Sequence, residues 1–111
     1  MSVTAKTLLG SKQAENVTTM QYTAAGVRTI IDKFTATNTS AAVAALTIYL
    51  VPAAGTAGDA NTIVKTKSLA ANETYTFPEI VGHILEVGTF ISTLASAATA
   101  ITIRASGREV S

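Results

Sequence analysis

The sequence predicts an all-β fold: one antiparallel β-sandwich or barrel of seven to eight strands. Three observations predict it. Apolar and polar residues alternate with period two over run after run, which is the spacing of a half-buried strand. Turn-forming residues separate these runs at roughly 8–14-residue intervals, too short for strand–helix–strand units. The composition is also that of sheet: 19 of 111 residues are Thr, beside many Val and Ile, and such residues fit a pleated surface. Another 20 are Ala, which suits a thin core. The length fits a single domain.

Residues 1–15 stand apart, with Ser, Thr, Lys and Gln surrounding only Leu8 and Leu9. They read as an N-terminal arm, whose two leucines dock on a neighbouring subunit, or as an edge strand. Residues 16–111 are the sandwich domain. Asn16 to Thr23 is the first clear strand, and Gly26 punctuates before the longest run, Val27 to Asn38. In that run Asp32 would share a face with Ile30 and Phe34. A bulge near Ile31 would relieve this and turn both isoleucines inward. Asn38 to Ala42 is a turn, although Ala41 to Ala45 could also make a helical turn. Leu46 to Val51 follows, with Leu46, Ile48 and Leu50 on one face, and Pro52 ends it because proline cannot donate to a ladder.

A small-residue loop, Ala53 to Ala60, leads into Asn61 to Leu69. Ala70-Ala-Asn72 turns the chain into Glu73 to Phe77, where Tyr75 and Phe77 align before Pro78. Ile80 to Leu85 is ambiguous between a helical turn and a strand. Thr89 to Ala95 and Thr99 to Ser106 complete the set, leaving Arg104 to Val110 as rim contacts or a solvated tail.

Eight basic and seven acidic residues give a net charge of +1. Nucleic-acid binding would call for a basic patch. The local concentrations, Lys65-Thr66-Lys67 and Arg104 to Arg108, read instead as solvated strand positions, so no nucleic-acid partner is expected. Charged residues are only 14% of the chain, a neutral surface that hints at cover by another chain. There is no Cys, which excludes disulfides and thiolate metal sites. Met1 to Gly10 lacks the apolar run of a secretory signal. The uncharged stretch Phe34 to Gly58 is too interrupted for a membrane-spanning helix, and no membrane partner is expected. Three sequons, at Asn16, Asn38 and Asn72, read as chance in a Thr-rich chain.

Residues for chemistry are sparse. His83 is the sole histidine, and no Gly-x-Ser-x-Gly elbow accompanies it. A glycosidase pair would have to come from Glu73, Glu79 and Glu86. His83 and Glu86 would share a face only on a helix, with no second histidine to complete a metal site. Asp59 and Asn61 begin a pattern like a calcium loop, but its bidentate Glu is missing, so they read as turn formers. Gly55 to Gly58 lacks the Lys-Ser/Thr of a phosphate loop. Tyr22, Tyr49, Phe34, Phe77 and Phe90 read as core aromatics rather than a sugar platform. No enzyme activity, cofactor or metal is expected.

From Ile30 onward, several segments resemble small tailed-bacteriophage structural proteins. They are Ile31-Asp-Lys-Phe-Thr-Ala-Thr-Asn38, Thr47-Ile-Tyr-Leu-Val-Pro52, Gly58-Asp-Ala-Asn61, Tyr75 to Leu85, Phe90 to Ser96 and Ile101 to Gly107. In size and strand pattern the chain is similar to the jelly-roll decoration, or cement, proteins of podovirus-like capsids. Residues 1–25 take no part in the resemblance. It implies a jelly roll bound outside the major capsid protein shell, often as a dimer, that staples neighbouring capsomers. It also implies a place on the capsid surface, assembly in the host cytoplasm and no catalytic residues. The candidate partner contacts are Leu8, Leu9, Arg104 and Arg108, and open sheet edges would permit strand addition to a partner. Another phage role (tail, neck or fibre-associated) and a carbohydrate- or receptor-binding sandwich are the alternatives.

Overall fold

The computed structural model describes residues 2–111, in which the period-two runs become nine strands. They are β1 (Val3–Gln13), β2 (Thr19–Thr23), β3 (Arg28–Asn38), β4 (Ala44–Val51), β5 (Thr62–Leu69), β6 (Thr74–Thr76), β7 (Ile84–Leu85), β8 (Phe90–Ala95) and β9 (Ile101–Val110). Two antiparallel sheets result. The first has the order β1-β9-β3-β6, with β7 also on β3; the second has the order β2-β8-β4-β5.

The pairings are nested. β4 pairs with β5, β3 with β6 and β7, β2 with β8, and β1 with β9. This is one long two-stranded ribbon whose tip is the β4–β5 loop. Rolling the ribbon lays β9 against β3 and β8 against β4, closing two sheets over one core. The arrangement is a jelly roll.

The inward rows explain why the ribbon rolls. Ile31, Phe34 and Ala36 of β3 and Ile101, Ile103 and Ala105 of β9 face Leu46 and Ile48 of β4 and Ile91 and Ala95 of β8, all buried. Phe77 packs edge-on against Phe34, with ring centroids 5.7 Å apart, and Tyr75 packs edge-on against Phe77 at 4.8 Å. Lys67 lies 4.5 Å above the Tyr75 ring, so a cation and an aromatic close the gap between the two sheets where β5 faces β6.

A bulge does fall in β3, between Ile31 and Lys33. It keeps Ile31 and Phe34 inside, but Ile30 turns outward beside Ile84 and Arg108 rather than joining the core. Ala44 and Ala45 extend β4 as strand, because their partners Leu69 and Ser68 continue the ladder. Residues 107–110 likewise continue β9: both neighbouring strands reach that far, so the segment is a central strand rather than a solvated tail.

Two residues fix positions the alternation alone cannot. Asn38 is fully buried with its amide fully used. Its Nδ2 donates to the carbonyls of Ala42 and Leu69 at 2.8 and 3.0 Å, and its Oδ1 accepts from Ser40 N and Oγ at 2.9 and 2.7 Å. One side chain thereby shapes the β3–β4 turn and holds the end of β5. Gly107 sits where β9 passes β3 so closely that a Cβ would lie 2.1 Å from the Ile30 carbonyl oxygen and 3.0 Å from Leu8 Cδ1. Only a residue without a side chain fits there.

Candidate interaction surface

With the inward rows used for the core, function has to come from the outward rows, the edges or the loops. Among the described residues there is no pocket, and no group of three or more His, Cys, Asp or Glu side chains. The candidate site is therefore a surface.

The outer face of the first sheet is polar and basic. Register places Arg28, Lys33, Arg104 and Arg108 against Asp32 on it, a surplus of three positive charges where the whole chain has one. Most of these cations are held in place. Arg108 grips Asp32 through Nη2 at 2.8 Å and Nε at 3.0 Å, and Arg28 meets Glu86 at 2.9 Å. On β1, Lys12 meets Glu15 at 2.8 Å and Lys6 meets Glu109 at 3.2 Å. Arg104 reaches across to β1, donating to Ser11 Oγ at 3.3 Å and Thr7 Oγ1 at 3.5 Å. Among the described residues, neither Arg104 nor Lys33 forms an ion pair. Around them lie Thr35, Thr37, Thr74, Thr76 and Thr102, aligned by register on the same face.

Charge and hydrogen bonding shift the acids of this sheet together. The Tyr22 hydroxyl lies 2.5 Å from Glu109 Oε2 and 2.7 Å from Thr29 Oγ1, bridging β2 of the second sheet to β9 and β3 of the first. Burial, then the Glu109 carboxylate, push the phenol up to about 12. The Tyr22 hydrogen bond in turn holds Glu109 below the usual carboxylate range, with Lys6 adding to the effect. The Arg108 guanidinium lowers Asp32, and Lys12, then Gln21, lower Glu15.

The outer face of the second sheet is chemically different. β2, β4 and β8 contain no charged residue. Register places Met20, Ser92 and Tyr49 in one row, Thr47 and Leu94 in the next, and Thr23, Phe90 and Val51 in a third, all facing outward. Met20 is 55% exposed; Phe90, Leu94 and Tyr49 are half-buried; Ser92 and Thr47 lie sunk between them. The turn after Pro52, closed by Gly55 N–H donating to the Pro52 carbonyl at 2.9 Å, folds over Val51. Lys65 stands at the rim on β5, 3.4 Å from Asp59.

The sheet edges are guarded. β1 carries two register breaks and β2 one. β5 is broken at Thr66, which has φ 47° and donates its N–H to Thr47 Oγ1. β6 and β7 are only three and two residues long. Lysines flank β1 and β5. These are the devices that discourage edge-to-edge pairing.

The sequence-derived candidates separate accordingly. Leu8 and Leu9 are 7% and 5% exposed and belong to the chain's own core. The bulges of β1 turn both inward, and neither side chain is presented to a neighbour. Arg104 and Arg108 are exposed on the basic face, Arg108 already paired with Asp32. His83 lies exposed in a turn, and its N–H donates to the Ile80 carbonyl at 3.2 Å. Glu73 accepts from Ala70 N–H, Glu79 lies beside the Tyr75 hydroxyl, and Glu86 pairs with Arg28, so the three acids do not converge. Asp59 and Asn61 do shape a turn, with Asn61 Oδ1 accepting from Gly58 N–H at 3.0 Å. Tyr49 and Phe90 are not core aromatics: they stand on the uncharged outer face. The signal that could have located them is the absence of charge from three successive strand runs that end up in one sheet.

No family model and no curated protein matches the chain. Solved structures similar to it include those described as the Gx and Gt strains of infectious bursal disease virus. The first is 19% identical over 98% of this chain, with a TM-score of 0.46. The second is 16% identical over 97%, with a TM-score of 0.31. This chain spans 32% and 30% of those chains, about a third of their length. Likenesses this low in identity and score assign no function to it.

Proposed function

We propose that this chain is a structural virion protein that binds the outside of a capsid shell and staples neighbouring major capsid protein subunits, performing no bond-making chemistry itself. The observation that carries the reading is the pair of unlike outer faces on one thin sandwich, one basic and threonine-rich, the other uncharged. A stapling protein must hold more than one neighbour, and two broad faces of different chemistry allow two different contacts. Standard interfaces need about 800 Å² from each partner, which calls for broad sheet faces rather than a pocket. Many copies on one particle then add avidity to modest single contacts.

The basic face is the one assigned to the shell. Lys33 and Arg104, which make no ion pair within the chain, would meet acidic groups on capsid subunits, with the threonines around them supplying neutral hydrogen bonds. Such a contact weakens as salt rises, because exposed charges are screened over about 8 Å at physiological ionic strength.

Cryo-electron microscopy of intact particles tests the assignment. Density for this fold outside the shell, bridging subunits, is expected. Occupancy should fall with added salt and in the Lys33→Glu/Arg104→Glu double variant, and particles lacking the protein should open at lower temperature. Density confined to the tail vertex, or no association with particles, would replace the reading. Glycan binding lost on Tyr49→Ala would replace it with carbohydrate recognition.

A further inference from the structure

We propose that the edge of the sandwich where β1 meets β2 is a proton-operated clasp. The carboxylates of Glu15 and Glu109 hold it shut, and protonating them opens that edge over Leu8 and Leu9 while the rest of the fold stays closed. The inference rests on side-chain geometry and is independent of the virion reading.

Each carboxylate joins the same two strands, which belong to different sheets. Glu109 accepts from Lys6 Nζ of β1 at 3.2 Å and from the Tyr22 hydroxyl of β2 at 2.5 Å. Glu15, in the β1–β2 connection, accepts from Lys12 Nζ of β1 at 2.8 Å and from Gln21 Nε2 of β2 at 2.9 Å. The register break between Met20 and Tyr22 lets consecutive residues, Gln21 and Tyr22, both reach an acid. Thr93 of β8 and Thr29 of β3, both buried, complete the two sets. Along β1, Leu8 and Leu9 lie between the two clasped lysines.

Among the described residues, Lys6, Lys12 and Tyr22 are the titratable groups in contact with these acids. β3 and β8 present only threonines to them, and Arg28 and Arg108 turn away to Glu86 and Asp32. The opposite edge is built differently. Where β5 faces β6, Lys67 lies on the Tyr75 ring, and Phe34, Phe77 and Tyr75 pack edge-on. Glu79 touches only the Tyr75 hydroxyl, at 3.1 Å and exposed.

Protonation weakens each acid's hold on both strands. The lysine loses its counter-charge, and the β2 side chain loses a charged acceptor, whose hydrogen bonds are about twice as strong as neutral ones. Those bonds hold both acids below the usual carboxylate range. The clasp is therefore shut at neutral pH and opens as pH falls below about 4.

Thiol labelling of the full chain with a pyridyl disulfide tests the proposal, because the chain has no cysteine of its own. A thiol introduced by Leu9→Cys reports the clasped edge. One introduced by Val64→Cys, buried on β5, reports the opposite edge. At neutral pH the double variant Glu15→Gln/Glu109→Gln, which mimics the protonated acids, should speed labelling at position 9 by at least about tenfold. Position 64 should be unchanged. Asp32→Asn, which removes an outer-face acid with no link between the sheets, should alter neither. With both glutamates intact, acidification to about pH 3 should raise the ratio of the two labelling rates by a similar factor. In the double variant that ratio should stay flat, and taking a ratio cancels the pH dependence of the thiol chemistry.

Far-ultraviolet circular dichroism confirms folding. Leu8→Cys replaces Leu9→Cys, and Glu15→Gln alone replaces the double variant, if either proves unfolded. Equal acceleration at both positions would overturn the proposal, because it would report a general loss of stability. So would an unchanged rate at position 9, or an effect of Asp32→Asn as large as that of the double variant.

Discussion

The two outer faces of the sandwich obey the same alternation and put it to different uses. On the first sheet the outward positions largely serve the molecule itself. Asp32 and Arg108 link β3 to β9, and Arg104 leans on Ser11 and Thr7 of β1. On the second sheet the outward side chains of β2, β8 and β4 make no ion pair, although Thr47 accepts from Thr66 N–H of β5, and the aromatic rings among them are left half-covered. Burial fixes what an inward position must be, whereas an outward position is free to be chosen for the chain's own edges or for another molecule.

Substitutions can sharpen or break that contrast, beginning with the largest expected effect. Gly107→Ala, at the centre of the first sheet, forces a methyl group into the Ile30 carbonyl. Urea denaturation should register a loss of about 3 kcal/mol or more, whereas Gly10→Ala, with open space around it, should not. A mild Gly107→Ala variant would mean that the close passage of β9 over β3 is adjustable.

Tyr22→Phe removes the hydroxyl that joins the sheets and should cost about 1–2 kcal/mol. An unchanged denaturation midpoint would show that the sheets need no polar link there.

The pH profile should bear the mark of the same sheet. Glu109, Glu15 and Asp32 are more acidic folded than unfolded, so their contribution is complete above the ordinary carboxylate range near pH 4 and drains as pH falls through their lower folded values. Tyr22 runs the other way. Its contribution is complete below its ordinary pKa of 10.0 and drains as pH rises towards about 12. Thermal melts across pH should therefore sag at both ends, and Tyr22→Phe should flatten the alkaline limb. An alkaline limb unchanged in that variant would assign it elsewhere.

The smallest effect belongs to the second sheet. Leu94→Ala should shift stability by no more than about 1 kcal/mol. A loss as large as that of Gly107→Ala would show that this outward row is needed for folding.

Strand runs and most inward rows were legible in the sequence because burial writes a period-two record. The β3 bulge was legible too, since Asp32 could not share a core face with Ile30 and Phe34, although Ile30 turned outward instead of inward with Ile31. Other features depended on partners far along the chain. Leu8 and Leu9 look like a detached pair until two bulges of β1, set by its register on β9, turn them both inward. Residues 107–110 look like a tail until β1 and β3 flank them. The interaction surface was hidden for the same reason. β2, β4 and β8 are separated in the sequence, and only the rolled ribbon makes their lack of charge a single face. The uneven distribution of cations was invisible in a net charge of +1.

Nested pairing also dictates an order of events. β1 cannot close its ladder until β9 exists, and Leu8 and Leu9 stay wet until residues 101–110 have been synthesised and have left the ribosome. The β4–β5 tip, whose strands are neighbours in the chain, can form first, and closure then travels outward to the termini. Distant contacts of this kind make β-sandwiches fold in roughly milliseconds to seconds. During that interval the growing chain exposes the rows it will later bury, so translation speed and chaperone supply should govern how much of it reaches its mature form.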